Sequence, residues 1–577
     1  MSNLNIEQKS IYKLLSDSKA DFLIPDYQRP YAWGEDECAT LWDDLSSFAF
    51  PNDDSSQFNS HDDEYFLGPI VTFENNGKQE IIDGQQRLTT IMLLLRAFYE
   101  KFQCAKDPNT EKTRDMISQC IWKTDEFGNP NTNELKIDSE VASDDDKAEF
   151  LSILRGGTVQ GGWKSSYAKN FKFFQERIRT FVSEYSMYTA LLPVRILNNV
   201  ILLPIEAESQ DTALRIFSTL NDRGLPLSDA DIFKSQFYRH FSDEGRKDDF
   251  IERWKALEES SGETFCPQSG TPMDELFSRY MYFQRARQGN RSTTTEALRG
   301  FYERNGYELL KKDRTLDDLE ALMGFWKAVA AQDGFSDRVL RRFFVLNYAP
   351  NGMWTYLTSV YFLQNRGADG ELDEERFHAF LDRTIAFVFA YAIERPGVNA
   401  LRAPVYPEMI NIVRGKEVTF GGHRFDRKAL EGLIRSYTFT NNRPITKSML
   451  AWWAFNDPDQ PLIGLDTRLE IEHIYARKRA ERESGLRDIG NLETLGNKAL
   501  LESRINIRAT DYGFADKKKY YLGFTDAREQ TKEPTKVHEL VDLASKADDF
   551  TEQDIRDRND RIIGSFLDYV GANGLLE

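Results

Sequence analysis

The residues best suited to chemistry lie near the C-terminus of the 577-residue chain, in Glu470–Tyr521. Glu472 and His473 stand side by side, Asn497 follows His473 by 24 residues, and Asn506 follows Asn497 by 9. Hydrolysis of a phosphodiester needs a base that activates water, a hard cation on the phosphate and a residue that fixes the base. This segment offers a candidate for each role.

These side chains can act together only if the backbone brings them together. Adjacent residues of a β-strand point to opposite faces. Glu472 and His473 therefore converge only if the strand ends there, which predicts a site at a junction between a strand and a loop. An isolated Glu-His pair is more commonly a surface ion-pair partner or a satisfied histidine. The spaced asparagines and the FADKKKYY tail favour the nuclease interpretation.

A second group of residues lies in the N-terminal half, where Ile81–Phe98 reads IIDGQQRLTTIMLLLRAF. Val71–Phe73 and Glu80–Ile82 predict a β-hairpin, and Asp83-Gly84 turns the chain. A helix is predicted from Gln85 because apolar residues recur at helical spacing: Leu88, Ile91, Leu94 and Leu95.

This strand, turn and helix N-terminus could bind an anion, because free N–H groups and the helix dipole point at one spot. Arg87 adds a guanidinium suited to phosphate, although no Walker loop is present. Two further polar segments are Ile24–Trp33 (IPDYQRPYAW) and Phe217–Lys234 (FSTLNDRGLPLSDADIFK), where Ser228 is expected to cap a new helix. The alternative is structural, with the arginines paired to carboxylates and the aromatic rings in the core.

In order, EIEHI, LGN, LLE, IN and F..KK..Y resemble the nuclease domain of GmrSD-type, modification-dependent (type IV) restriction endonucleases, a His-Me finger (HNH, ββα-metal) domain. The resemblance implies a β-hairpin packed on one helix with the metal between them. It implies His473 as general base and Asn497 as the residue that braces the hairpin loop. Glu472 and Asn506 would hold Mg²⁺ or another divalent cation. Asn497 is preferred to Asn491 because its spacing to Asn506 matches the family better.

The N-terminal motifs IPxYQRPYxW, DGQQR and LNxRGxxLSxxD together resemble the sensor/NTPase domain of the same systems, which is ParB/sulfiredoxin-like. This second resemblance covers residues 6–240. It implies that a nucleotide triphosphate is bound by eight residues: Arg29, Asp83, Gly84, Gln85, Gln86, Arg87, Asn221 and Arg223.

The overall charge of −19 argues against a loose, nonspecific nucleic-acid binder, whose affinity would come from Lys and Arg on phosphates. Residues 468–519 nevertheless carry a balance of +3. Basic runs flank the proposed nuclease site, and Arg477, Lys478, Lys517 and Lys518 are the predicted DNA contacts. The alternative for such runs is a solvated helix face.

The four cysteines are scattered without a CxxC pair, so neither a disulfide framework nor a zinc knuckle is indicated. The N-terminus lacks the pattern of a signal peptide. The most apolar run, Ile385–Ile393, is too short to span a bilayer. These features predict a cytoplasmic protein without a membrane segment.

The combined prediction is a multidomain α+β protein. It has a ParB-like sensor/NTPase domain (1–240), a mainly helical linking domain (241–440) and an HNH nuclease domain with closing helices (441–577). Within the first domain, Leu191–Ile205 reads as two buried β-runs around a turn at Asn198-Asn199, and Lys123–Lys147 reads as a flexible insertion.

The predicted function is nucleotide-regulated, metal-dependent cleavage of double-stranded DNA. The family resemblance implies modified phage DNA as the target and a role in defence; a homodimer is left open. One alternative is an NTP-switched DNA-binding regulator with an inactive nuclease fold. The acidic charge favours it, as does Tyr475-Ala476, where the family has a turn residue. Another alternative is an NTPase that acts with a partner effector.

Overall fold

The structure is a computed structural model that describes residues 5–50, 58–59, 63–141, 144, 146–210, 212–213, 216, 228–397, 399–483, 485–509, 513–525 and 529–577. The chain divides into two compact units, Met1–Ala256 and Leu257–Glu577. The predicted division into three domains stays a prediction. None of the described helices is both long and apolar enough to cross a bilayer.

The first unit is built on a mixed sheet of seven strands: β1 (Asn5–Ile6), β2 (Lys9–Ser10), β3 (Phe22–Ile24), β4 (Tyr65–Asn75), β5 (Lys78–Asp83), β8 (Ile137–Ser139) and β9 (Val200–Ala207). A separate hairpin joins β6 (Trp122–Thr124) to β7 (Pro130–Leu135). In the sheet the order is β1-β9-β4-β5-β3-β8, and β2 also pairs with β9. β4 and β5 are antiparallel, with Thr72 opposite Ile81, which confirms the predicted hairpin.

The helices of this unit are α1 (Ile11–Leu15), α2 (Glu35–Ala49), α3 (Gln85–Phe102), α4 (Pro108–Ile121), α5 (Lys147–Gly156), α6 (Ser166–Glu184), α7 (Leu191–Asn199) and α8 (Asp229–Asp243). α3 begins at Gln85 as predicted, but it is buried on nearly every side rather than along one stripe. It packs against α4 and α6 and forms the centre of the core. Ser228 caps α8 through a reciprocal pair of hydrogen bonds with Asp231, as predicted.

Two predictions in this unit are wrong. The first β-run of 191–205 is the helix α7, and only the second is a strand. Leu192, Ile196 and Leu197 give α7 a buried stripe at helical spacing, and Pro193 lies in the first turn, where a missing N–H costs nothing. The segment 123–147 is no simple insertion either, since it supplies a hairpin strand and β8, which pairs in parallel with β3.

The boundary between the two units, after Ala256, lies within the helix α9 (Lys247–Thr264). The second unit is dominated by helices: α10 (Pro272–Arg287), α11 (Leu298–Tyr302), α12 (Arg304–Tyr307), α13 (Asp313–Ala331), α14 (Asp337–Asn347), α15 (Met353–Asn365), α16 (Glu374–Glu394), α17 (Arg402–Val413), α18 (Arg427–Ser436), α19 (Pro444–Asn456), α20 (Arg477–Arg482), α21 (Ser503–Ala509), α22 (Phe514–Leu522), α23 (His538–Lys546) and α24 (Glu552–Ala572). Its strands are β10 (Leu469–His473), β11 (Lys498–Glu502), β12 (Phe524–Thr525) and β13 (Thr531–Lys532). The predicted closing helices correspond to α23 and α24.

Candidate functional site

The strand β10 ends at His473, as the sequence predicted. It pairs antiparallel with β11, with Glu472 opposite Ala499 and His473 opposite Lys498. α21, which carries Asn506, packs against both strands. The segment therefore contains two antiparallel strands and one helix, and the predicted acid, histidine and second asparagine all lie on them.

Asn497 holds the chain that follows His473. Its Oδ1 accepts a hydrogen bond from the Tyr475 N–H at 2.7 Å, and its Nδ2 donates to the Tyr475 carbonyl at 3.1 Å. Its own carbonyl accepts from the Ile474 N–H at 2.9 Å. Asn491, the competing asparagine, instead donates to Glu552. Asn497 is thus the asparagine that contacts the loop after His473.

The imidazole of His473 is neutral and mostly buried. Its Nε2 is buried and has no hydrogen-bond partner among the described residues. Burial lowers the pKa of His473 to about 4, helped by the positive charges of Lys498 and Arg477. At neutral pH the ring is therefore unprotonated and able to accept a proton.

Glu493, which was not predicted from the sequence as a site residue, is the carboxylate beside this ring. Its Oε1 lies 3.7 Å from His473 Nε2 and also pairs with Arg477. Its Oε2 accepts from the buried ammonium of Lys498 at 2.7 Å. Lys498 and Arg477 hold the pKa of Glu493 below its usual value, against the opposing effect of burial. In the sequence, only its position four residues before Asn497, in NLETLGN, could have indicated that Glu493 lies at the site.

Glu472 is held on the interior side of the hairpin. Its Oε1 accepts from Lys517 Nζ at 2.6 Å and from the Tyr521 hydroxyl at 2.7 Å. Lys517 also donates to the His473 carbonyl at 2.6 Å. The Lys517 side chain is only 1% exposed, so it does not fit the predicted contact with DNA. The lysine instead neutralises Glu472.

The predicted metal ligands fit a cation by donor chemistry. Carboxylate and amide oxygens suit Mg²⁺. Glu472 Oε1 already accepts from Lys517 and Tyr521, and the Asn506 side chain on α21 is half-buried. A cation on Glu472 would share that carboxylate with the Lys517 ammonium.

The other predicted DNA contacts are more accessible. Arg477 and Lys478 are exposed at the start of α20, and the Arg477 side chain is 55% exposed although it pairs with Glu493. The Lys518 side chain is half-buried, with Nζ 3.6 Å from Asp548. Arg477 and Lys478 therefore remain the predicted residues best placed to meet a phosphate.

In the first unit, Gly84 makes the turn into α3. Its φ of +92° lies in the left-handed region that favours glycine. A Cβ there would also stand 3.0 Å from Ile70 and 3.2 Å from the Pro69 carbonyl. Arg87 pairs with Asp83, with Nη2 3.3 Å from Oδ2. The predicted strand, glycine turn and helix start are therefore present.

The glutamines of DGQQR bind the Ile24–Trp33 segment. Gln86 Oε1 accepts from the N–H groups of Ala32 and Trp33, and its Nε2 donates to the Pro30 carbonyl. Because its whole amide is used by the main chain, Gln86 does not fit the predicted nucleotide contact. Gln85 Nε2 donates to the Arg29 carbonyl.

Two polar atoms at this position lack partners. Arg29 Nε and Gln85 Oε1 are buried without a hydrogen-bond partner among the described residues. Burial raises the pKa of Asp83, while Arg87 and then Arg29 act to lower it, so both guanidiniums lie near this carboxylate. Two arginines at a helix N-terminus suit phosphate oxygens. The predicted contacts Asn221 and Arg223 lie outside the described residues.

Comparison with known families matches both ends of the chain. Residues 11–238 match the GmrSD restriction endonuclease, N-terminal domain, and residues 426–565 match the GmrSD restriction endonucleases, C-terminal domain. No curated protein gives a significant match. The first range includes Asp83–Arg87 and the second includes His473 and Asn506. The chain therefore belongs to the GmrSD-type restriction endonuclease family, which implies that it is an enzyme that cleaves DNA.

Proposed function

We propose that this protein is a nucleotide-regulated, divalent-metal-dependent DNA endonuclease. The observation that carries the proposal is the environment of His473: a neutral, largely buried imidazole with an unpartnered Nε2, at the end of β10. A histidine of this kind is suited to take a proton from water. The β10–β11 hairpin followed by α21 supports assignment to the HNH class.

In this proposal each neighbour of His473 has a part. Asn497 fixes the loop after the histidine, and Glu493 stabilises the imidazolium once the ring accepts a proton. Glu472 and Asn506 hold the divalent cation, and Arg477 and Lys478 contact the DNA backbone. When bound, the cation supplies positive charge at the phosphate and at its leaving oxygen.

The regulatory half of the proposal concerns the nucleotide. Arg29, Asp83, Gly84, Gln85 and Arg87 form a ParB-like site that binds and hydrolyses a nucleotide triphosphate. Its support is the pair of guanidiniums at the N-terminus of α3 and the unpartnered Arg29 Nε and Gln85 Oε1. Modified phage DNA as the target, and a role in defence, rest on the family alone.

Plasmid nicking tests the nuclease proposal. Wild-type protein should cleave modified DNA with Mg²⁺ and lose this activity with EDTA. His473→Ala should reduce cleavage about 10²–10⁴-fold because the general base is lost. The control is His538→Ala, which removes a histidine on α23 instead, and this variant should cleave like wild type. Equal cleavage by His473→Ala and wild type contradicts the assignment of the base.

A second candidate is a nucleotide-switched DNA-binding regulator with an inactive nuclease fold. The ammonium of Lys517 on the Glu472 carboxylate favours it, since this charge opposes a cation there. Tight DNA binding that responds to nucleotide, without nicking at any Mg²⁺ or Mn²⁺ concentration, would select this candidate.

A further inference from the structure

A cavity of about 540 Å³ opens among the helices of the Leu257–Glu577 unit. Its lining comes from α13, α14, α15, α16 and the segments that join α13 to α14 and α15 to α16. The lining lies outside both ranges matched by the family models. Its floor is aromatic and consists of Phe325, Phe335, Phe362 and Phe377. The rings of Phe325 and Phe362 stack with centroids 4.4 Å apart.

The rim of the cavity is negatively charged. Every charged residue in its lining is acidic, and these residues, Asp369, Glu371 and Glu374, are exposed. Asp369 Oδ1 accepts from the Glu371 N–H. Glu374 Oε1 accepts from the Ser336 hydroxyl and lies 3.9 Å from Arg338 Nη2, so its charge is partly offset. The Glu371 carboxylate takes part in none of these contacts. The cavity thus combines an aromatic floor with carboxylates at its mouth.

A glycine inside a helix keeps this space open. Gly324 lies in the middle of α13 and lines the cavity. Its φ is not in the left-handed region, and a Cβ there would meet nothing within 4 Å. Glycine is less favourable than alanine inside a helix, and here neither backbone conformation nor close packing requires it. Its evident consequence is the room beside Phe325.

We propose that this cavity binds a small organic cation with an ammonium head and an apolar body. Aromatic faces attract cations through their quadrupoles, and nearby carboxylates add Coulomb attraction. The volume lies in the range of small-molecule sites, and an aromatic lining with few charged groups is typical of them. An anion would be repelled at the mouth, and a neutral ligand would gain nothing from the rim.

Isothermal titration of the full chain with benzylammonium, benzyl alcohol and benzoate tests the proposal. Benzylammonium should bind about tenfold more tightly than benzyl alcohol, and benzoate should not bind. Gly324→Phe, which fills the cavity, should abolish binding of benzylammonium. Gly432→Phe is the matched control, since Gly432 also lies in a helix with nothing within 4 Å of its Cβ position.

Glu371→Gln provides a second variant that leaves the cavity volume unchanged. It should weaken benzylammonium binding severalfold and leave benzyl alcohol binding as it was. Equal affinity for the three compounds, or full benzylammonium binding by Gly324→Phe or Glu371→Gln, would overturn the proposal.

Discussion

Lys517 Nζ lies 2.6 Å from Glu472 Oε1, and both side chains are almost completely buried. The two residues are 45 positions apart in the sequence. Their ion pair connects α22 to the end of β10, next to His473. The Tyr521 hydroxyl donates to the same oxygen. The carboxylate that the sequence predicted as a metal ligand therefore also anchors the helix behind the site.

This ion pair leads to a prediction about stability. Lys517→Met should lower the free energy of unfolding by about 3–5 kcal/mol, because it leaves the Glu472 carboxylate buried without its counter-charge. Urea denaturation measures the change. Lys518→Met, at the neighbouring half-buried lysine, should change stability by no more than about 0.5 kcal/mol.

The double variant Glu472→Gln/Lys517→Met shows whether the lost stability comes from the uncompensated Glu472 charge. It should be more stable than Lys517→Met alone, since no uncompensated charge remains. A Lys517→Met protein with unchanged stability and weakened DNA affinity would instead restore the predicted DNA contact.

The hydrogen bonds of Asn497 give a second prediction. Asn497→Ala leaves the buried Tyr475 N–H and carbonyl without their side-chain partner, which should cost about 1–3 kcal/mol of stability. It should also slow DNA cleavage roughly 10²-fold, because the loop that positions His473 loosens. Nicking rates are compared at a temperature where the variant is fully folded.

Asn491→Ala is the matched control for this loop. Asn491 donates to Glu552 and makes no hydrogen bond to the described residues directly after His473, so its removal should leave cleavage near wild type. If the two variants lose activity equally, the loop contacts of Asn497 have no special part in the reaction.

Structural features that depend on neighbouring residues in the chain could be predicted from the sequence. The β4–β5 hairpin, the glycine turn and the start of α3 follow from local pattern, because Gly84 and the apolar spacing act over a few residues. The end of β10 at His473 was predicted differently, from the requirement that the adjacent side chains of Glu472 and His473 act together.

Features that depend on distant residues were predicted poorly. A run of three lysines reads as a solvated face, and nothing local indicates that Lys517 is buried against Glu472. The parallel pairing of β8 with β3 joins segments more than a hundred residues apart. The apolar run in α7 was misread because short apolar runs do not distinguish a buried strand from a buried helix.

A third prediction concerns pH. Burial and the nearby cations hold the pKa of His473 at about 4, whereas an unfolded histidine titrates near 6.5. Between these values the unfolded chain binds a proton that the folded protein does not, so stability should rise with pH across this window. His473→Gln lacks this contribution.

The measurement is the free energy of unfolding at several pH values from about 4 to 7. Wild type should gain more stability than His473→Gln as pH rises, and the two curves should run parallel above about pH 7. Curves that are parallel across the whole range would mean that His473 titrates normally in the folded protein.

The last prediction links the nucleotide to DNA cleavage. A nucleotide changes the cleavage rate only if it binds competent and resting states with different affinity. We expect a nucleotide triphosphate to change the rate of nicking, in either direction. Arg87→Ala should remove the response, because a guanidinium suited to phosphate is lost beside Asp83. Its basal cleavage should match wild type.

Time courses of nicking with and without nucleotide test this prediction. They are run on wild type, Arg87→Ala and the control Arg179→Ala. Arg179 is an exposed arginine of the same unit that pairs with Glu176, so its variant should respond like wild type. Titration calorimetry on the same proteins shows whether Arg87→Ala has lost nucleotide binding or only its effect on cleavage. Identical rates in all six reactions would mean that nucleotide does not regulate the nuclease, and the protein would then be an endonuclease without this control.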